Sequence, residues 1–229
     1  MNNPNCATVF ERWTLHGSPF GASASADVVA AVLADITAAY AEPARHYHTM
    51  AHIESLLLEL DRHRDEIRNP DALEFAALFH DVVYDTRRHD NEEQSALYAR
   101  DALRRLGAPE LLVERVAALI LFTSNHGAPA DDADALLFLD ADLAILGTSG
   151  DRYRDYSRAI RCEYAWVEEE RYRRARRDIL EKFLERERIY RTGSMFARYE
   201  MAARANIAAE LREPDRPDGS EHEFNSGSL

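Results

Sequence analysis

The chain has 229 residues, of which 46% are apolar and 30% are charged. This composition provides enough apolar surface for a core and excludes a disordered or fibrous protein for the bulk of the chain. The net charge of −13 argues against binding to double-stranded nucleic acid, because neutralising backbone phosphates requires a basic surface. Residues 151–191 differ, with 13 Lys and Arg against 10 Asp and Glu. This stretch is either an anion-attracting face or an ordinary solvated helix surface.

Cysteine use and hydropathy indicate the compartment. The two cysteines, Cys6 and Cys162, cannot form a disulfide framework and are typical of a reducing cytosol. The first thirty residues lack a basic start followed by an apolar run, and no apolar stretch approaches the roughly 18 to 20 residues that cross a bilayer. We therefore expect a soluble, unprocessed cytoplasmic protein that does not associate with a membrane.

Helical periodicity dominates from residue 26 onward, and no segment alternates as a strand does, so we predict an all-α fold. Ser25 is a helix N-cap, Asn91 caps a later helix with Glu93 in its first turn, and Gly107 closes that helix. The apolar run 136–139 leads into Asp140-Ala141-Asp142. The predicted helices cover residues 26–41, a segment from about 48, and residues 72–84, 91–107, 111–123, 151–166, 168–188 and 195–211. A single compact helical bundle over 25–212 would follow an N-terminal segment, 1–24, and precede an acidic, disordered tail, 213–229.

The dipeptide His80-Asp81 is the most informative local feature. It ends a helix that is apolar nearly all round and therefore belongs in the centre of the fold, whereas a second His-Asp pair, His89-Asp90, lies in a charged loop. A buried carboxylate needs a cation or hydrogen-bond donors, and a divalent metal ion satisfies both an imidazole and a carboxylate. The alternative is a helix-capping Asp beside a hydrogen-bonded core His.

Further His and Asp residues are predicted to reach the same core. His48 and His52 are four residues apart, on one face of a helix, and His52 is the more interior of the two. His126 follows another helix, and Asp140 and Asp142 follow four consecutive apolar residues. Several helices that each supply one such side chain are typical of metal sites in helical proteins.

At this point the sequence resembles a known family. Residues 45–53 (RHYHTMAHI), 79–85 (FHDVVYD), 90–96 (DNEEQSA) and 139–147 (LDADLAILG) are similar, in this order, to motifs of the HD superfamily of metal-dependent phosphohydrolases, and in particular to a bacterial subgroup of predicted HD phosphohydrolases. The likeness continues through residues 160–164 (IRCEY) and 200–207 (EMAARANI) and spans roughly residues 12 to 211.

The resemblance implies an HD-type helical domain and a set of metal ligands. His52, His80 and Asp81 match the first His and the HD doublet. Asp142 matches the final Asp, with Asp140 as the alternative or as an acid behind the ligands. His126 falls where some members supply a further ligand to a second metal. The metal would be Mn, Co, Ni, Fe, Zn or Mg, and one ion is favoured over two.

The implied reaction is hydrolysis of a phosphate ester or anhydride of a small, nucleotide-like substrate by a metal-activated water, with Asp81 as a catalytic residue as well as a ligand. Arg45 and Arg161 are candidates to neutralise the phosphoryl group, although either is also explained as a surface arginine. Glu92 or Glu93 could position the water. Two alternatives stay open: a metal-binding regulatory or ligand-binding module without turnover, and an iron-dependent oxygenase that needs His126.

Overall fold

The computed structural model describes residues 24–212, and this part of the chain is all-α. Helices account for 71% of it, and no strand occurs in it. The nine α-helices of these residues are α1 Ala26–Tyr40, α2 Met50–Arg62, α3 Pro70–Phe79, α4 Asn91–Arg105, α5 Glu110–Phe122, α6 Ala133–Asp142, α7 Gly150–Glu163, α8 Glu169–Glu185 and α9 Gly193–Arg212, with short 3-10 helices at Arg64–Glu66 and Leu143–Gly147. The predicted fold class is confirmed.

Side-chain caps fix several helix starts. Ser25 accepts a hydrogen bond from the amide of Val28, as predicted, and Asn69, Asp132 and Ser149 cap α3, α6 and α7 in the same way. Gly107 has a φ of 77°, so it ends α4 in the left-handed conformation that glycine adopts without strain.

Helix α3 lies at the centre of the bundle. All of its residues from Ala72 to Phe79 are buried, and α2, α4, α5 and α6 pack around it. The helix is apolar nearly all round because other helices surround it on every side. The residue that follows α3, His80, therefore lies in the interior.

Two predicted helix ends differ from the structure. Helix α3 ends at Phe79 instead of near 84, because the backbone carbonyls of Asp81 and Val82 accept hydrogen bonds from Arg45, and the N–H and C=O of Val83 bond to the Ser95 hydroxyl. These side chains take the backbone groups that a continued helix would use. Asn91 does not cap α4, since its side chain bonds to the backbone of Asp85, and Asp90 is the N-cap residue.

Among residues 24–212, no helix is both long and apolar enough to cross a membrane. The predicted tail, 213–229, and nearly all of the predicted N-terminal segment, 1–24, lie outside the described residues. The predicted boundaries of these two segments stay predictions.

Candidate metal centre

Four side chains from three helices converge in the interior. His52 projects from the first turn of α2, His80 and Asp81 follow α3, and Asp142 ends α6. The Nε2 atoms of His52 and His80 are 3.2 Å apart. His80 Nε2 lies 3.0 Å from Asp81 Oδ2 and 3.5 Å from Asp142 Oδ1, and His52 Nε2 lies 3.1 Å from Asp142 Oδ1. Two imidazole nitrogens and two carboxylate oxygens thus face one another.

The orientation of His80 is set by its other ring nitrogen. His80 Nδ1 is 3.0 Å from the backbone carbonyl of Ala77, which can only accept a hydrogen bond, so Nδ1 carries the proton. In the neutral ring, Nε2 then presents its lone pair to the cluster. A carbonyl that fixes the tautomer in this way is the usual partner of a metal-binding histidine.

The electrostatics of the cluster favour charged groups despite burial. Burial disfavours imidazolium at His80, but the carboxylates of Asp81 and Asp142 outweigh it and raise the pKa of His80 well above its usual value. Burial likewise opposes ionisation of Asp142, yet hydrogen bonds from His126, His52 and His80 hold its pKa well below the usual range. The histidines lower the pKa of Asp81 against its burial in the same way. Two carboxylates held ionised form an interior site for a cation.

The donor set fits a divalent metal ion. Bonds of about 2.0–2.2 Å to imidazole nitrogen and carboxylate oxygen place adjacent ligand atoms about 3.0–3.5 Å apart. All four ligand-to-ligand distances given above fall in this range, and His52 Nε2 lies 3.9 Å from Asp81 Oδ2. The ligand atoms of His52, His80 and Asp81 all lie within 4.8 Å of one another. The Asp81 and Asp142 side chains are 18% and 14% exposed, so one side of the site is open to solvent. These residues could hold a metal and leave positions for water.

His126 borders the cluster through Asp142. Its Nε2 lies 3.4 Å from Asp142 Oδ2, the oxygen that turns away from His52 and His80. His126 also has a φ of 50°, a left-handed conformation that is uncommon outside glycine, so the loop between α5 and α6 holds this ring in place at some cost. Its position next to the outer oxygen of Asp142 is where a further ligand would reach.

Asp140 has a different role from the one predicted for it as an alternative ligand. It is 1% exposed, and its two carboxylate oxygens accept hydrogen bonds from the Arg191 and Thr192 amides and from the Thr192 hydroxyl. Burial raises the pKa of Asp140 in spite of these bonds. Its oxygens are therefore committed to anchoring the segment before α9 to α6.

Arg45 does not present its guanidinium to a substrate as predicted. The side chain is 1% exposed, and all three of its nitrogens donate hydrogen bonds. Two of them reach the carbonyls of Asp81 and Val82, at 2.6 and 3.0 Å. Because a buried guanidinium bound to carbonyls fixes backbone, Arg45 positions the turn that carries Asp81.

The guanidinium of Arg161 is bound by neighbouring protein groups, and Glu92 lies at the start of α4. All three guanidinium nitrogens of Arg161 donate, to Glu169 and to the carbonyls of Tyr164 and Val167, so Arg161 ties the end of α7 to the start of α8. Glu92 is half-buried in the first turn of α4, and its charge helps to raise the pKa of Tyr164 after the larger effect of burial. Within residues 24–212 no hydrogen bond joins Glu92 to the cluster, and its role in positioning water stays a prediction.

Glu163 is a supporting residue that sequence reasoning missed. Its Oε1 accepts hydrogen bonds from three successive amides, those of His46, Tyr47 and His48, at 2.7–2.9 Å. Its Oε2 accepts from His48 Nδ1 and the Tyr84 hydroxyl. The carboxylate joins the loop that leads into α2, the helix of His52, to the turn after α3, which carries Asp81. Glu163 lies beside Arg161 in the quoted motif IRCEY, but a Glu near a helix end ordinarily indicates a solvated position.

A cavity of about 310 Å³ opens beside the cluster, with His52 and Asp142 in its wall. Arg152, near the start of α7, also lines it and donates a hydrogen bond to the Ser55 hydroxyl. Among the described residues no carboxylate lies within ion-pair distance of Arg152. It is the cation best placed to meet an anionic ligand here, but in the sequence it was one arginine among many in the basic stretch 151–191.

Comparison with known proteins identifies the family. No curated protein and no solved structure matches the chain significantly. The family model of the HD domain matches residues 45–187, more than half of the chain, and HD domains are mostly metal-dependent hydrolases. The match contains His52, the His80-Asp81 doublet and Asp142, the four residues that converge in the structure. The chain belongs to the HD domain family.

Proposed function

We propose that this protein is a metal-dependent phosphohydrolase that cleaves a phosphate ester or anhydride of a small, nucleotide-like substrate. The observation that carries the proposal is the convergence of two imidazole nitrogens, 3.2 Å apart, with two ionised carboxylates on the open side of the core. His52, His80, Asp81 and Asp142 would hold one divalent ion. When bound, that ion acts as a Lewis acid towards a phosphoryl oxygen and lowers the pKa of a water molecule.

The protein's own groups orient the water and the phosphate. Asp81 directs Oδ2 towards His80, which leaves Oδ1 to accept a hydrogen bond from the attacking water and orient it. Water oxygen then adds to phosphorus, the bond from phosphorus to the leaving oxygen breaks, and the water proton ends on the leaving group or the released phosphate. Arg45 fixes the carbonyl of Asp81, so the turn does not move as charge develops.

The cavity beside the cluster supports a small organic phosphate as the substrate. At about 310 Å³ it is at the small end of the range for metabolite sites. Tyr47 and Tyr156 line it, with their ring centroids 4.7 Å apart, and they offer aromatic surface to a base or sugar. Arg152 would bind the phosphate bidentately once it releases the Ser55 hydroxyl.

Phosphate release tests the proposal. The full-length protein, stripped of metal and reloaded in turn with Mn, Co, Ni, Mg or Zn, is incubated with a panel of nucleotides and sugar phosphates. We expect turnover that requires metal and is abolished in Asp81→Ala. Stoichiometric metal with no turnover on any phosphate would contradict the proposal and favour a regulatory module, and metal-dependent oxygen consumption would favour an oxygenase.

A further inference from the structure

A second cavity, of about 690 Å³, lies between α7, α8 and α9. It shares no lining residue with the cavity beside the metal centre. Its volume falls within the roughly 300–1,000 Å³ typical of small-molecule sites. The proposed phosphohydrolase activity makes no use of it.

The wall of this cavity is strongly basic. It contains six arginines against two acidic residues, Glu169 and Glu210. The fold thereby gathers much of the basic stretch 151–191 around one concave surface, in a protein whose overall charge is −13. A concave, single-sign surface concentrates the field and attracts anions. The arginines are Arg154, Arg158, Arg161, Arg173, Arg176 and Arg177.

These arginines are not equivalent. Arg176 has a side chain that is 11% exposed and donates to both Glu210 oxygens and to the Tyr156 hydroxyl, so it is part of the frame. Arg158 and Arg177 are 71% and 52% exposed, and among residues 24–212 they pair only with acids three or four residues away on their own helices. Because exposed pairs of this kind contribute little stability, these two guanidinium groups can exchange an acid for a ligand phosphate.

Two tyrosines of the cavity wall have buried hydroxyl groups. Tyr153 is 3% exposed, and the hydroxyl oxygens of Tyr153 and Tyr172 are buried with no hydrogen-bond partner among the described residues. Glu210 lies close enough to Tyr153 to influence its pKa, but their geometry is not that of a normal hydrogen bond, and Glu210 is already bound by Arg176. Because these hydroxyl oxygens are closed to solvent, a ligand in the cavity would contact other atoms of the two tyrosines.

We infer that this cavity binds a small polyanion carrying a di- or triphosphate group. Arg158 on α7 and Arg177 on α8, both in the cavity wall, would bind phosphate oxygens. A planar guanidinium matches two phosphate oxygens at once, and two such groups on different helices favour a ligand with more than one phosphate. This site is independent of the metal centre.

Calorimetric titration with inorganic pyrophosphate tests the inference on the full-length protein. The metal centre could also bind pyrophosphate, so the titration is done on wild type and on Asp81→Asn. Each is then compared with the same protein carrying Arg158→Gln and Arg177→Gln. Arg174→Gln is the matched control, because Arg174 is exposed on the same helix, α8, and does not line the cavity. Circular dichroism on every variant checks that these surface changes leave the fold intact.

We expect one pyrophosphate-binding event to persist in Asp81→Asn and to weaken at least about tenfold in the double arginine variant, with Arg174→Gln within about twofold of its parent. Two results would overturn the inference. One is that pyrophosphate binding disappears entirely with Asp81→Asn, which would assign it to the metal centre. The other is that Arg174→Gln weakens binding as much as the double variant, which would show non-specific attraction to a basic surface.

Discussion

Replacing Glu163 by Gln removes the negative charge to which the loop before α2 is hydrogen-bonded. In the native protein its side chain is buried and accepts five hydrogen bonds, three from backbone amides and two from His48 and Tyr84. A glutamine carbonyl oxygen can keep the three amide bonds. Its NH₂ group would face two groups that now donate, so the change removes the charge together with the hydrogen bonds from His48 and Tyr84.

The magnitude follows from the pKa. Burial opposes ionisation of Glu163, but the hydrogen bonds from His48 and the backbone outweigh it and lower the pKa from 4.5 to about 2. A difference of this size corresponds to about 3–4 kcal/mol of folding free energy at neutral pH. Because the folded-state pKa is the lower one, this contribution is present above about pH 4.5 and is lost as the pH falls towards 2.

Urea unfolding of wild type and Glu163→Gln at pH 7 and at pH 3 measures this contribution. We expect the variant to be less stable by at least about 3 kcal/mol at pH 7, with the gap at pH 3 clearly smaller. Asp178→Asn, an exposed position on α8, is the control and should change stability by less than about 0.5 kcal/mol at either pH. A gap between wild type and Glu163→Gln that is the same at both pH values would refute the assignment of the low pKa to this carboxylate.

Three further predictions concern the cluster, the cavity beside it and the packing of α9. Asp142→Asn should lose bound metal, whereas Asp140→Asn should keep the metal and lose about 1–3 kcal/mol of stability. Elemental analysis measures the metal and urea unfolding measures the stability. Metal loss in both variants would contradict the account. Arg152→Gln should raise KM for the phosphate substrate at least tenfold with a smaller effect on kcat, and an unchanged KM in steady-state assays would rule out phosphate binding there. Gly147→Ala should lower the stability of the protein by more than about 2 kcal/mol in thermal unfolding, because a Cβ at this position would lie within 2.7 Å of α9. Gly193→Ala is the control, since the space around Gly193 is open. Equal effects of the two substitutions would argue against the close packing at Gly147.

The sequence was sufficient to predict the fold class and the convergence of the cluster. Continuous apolar composition placed α3 in the centre, and this placement made His80-Asp81 an interior pair. The second His-Asp pair is confirmed as a surface feature, since His89 is exposed and Asp90 pairs with Arg88. In both cases the neighbouring residues, not the dipeptide, carried the information.

The roles of the arginines could not be predicted, because they depend on backbone carbonyls that only the tertiary structure brings near. Arg45 and Arg161 each bind carbonyls that lie at a helix end or a turn. A guanidinium that fixes backbone and one that faces a substrate have the same residue type and the same local sequence. Arg45 and Arg152 differ in exposure and in hydrogen-bond partners, and hydrophobic periodicity reports neither for a single residue in a loop or a first helical turn.

The choice between Asp140 and Asp142 was likewise decided by tertiary contacts. Both follow the same apolar run, two residues apart, and a helix turns them about 200° from each other. The rotation directs Asp142 to the histidines and Asp140 to the amides of Arg191 and Thr192. A local pattern cannot show which face of α6 meets α2 and which meets the segment before α9.

The central claim is that the interior His-Asp pair, together with His52 and Asp142, holds a divalent metal ion. Metal content per chain, measured by elemental analysis after loading and dialysis, tests it most directly on wild type, Asp81→Asn and Asp90→Asn. The two substitutions make the same isosteric change in the two His-Asp pairs of the chain. We predict about one metal per chain in wild type and Asp90→Asn, and metal affinity reduced more than tenfold in Asp81→Asn. Equal metal retention in Asp81→Asn and Asp90→Asn would contradict the account.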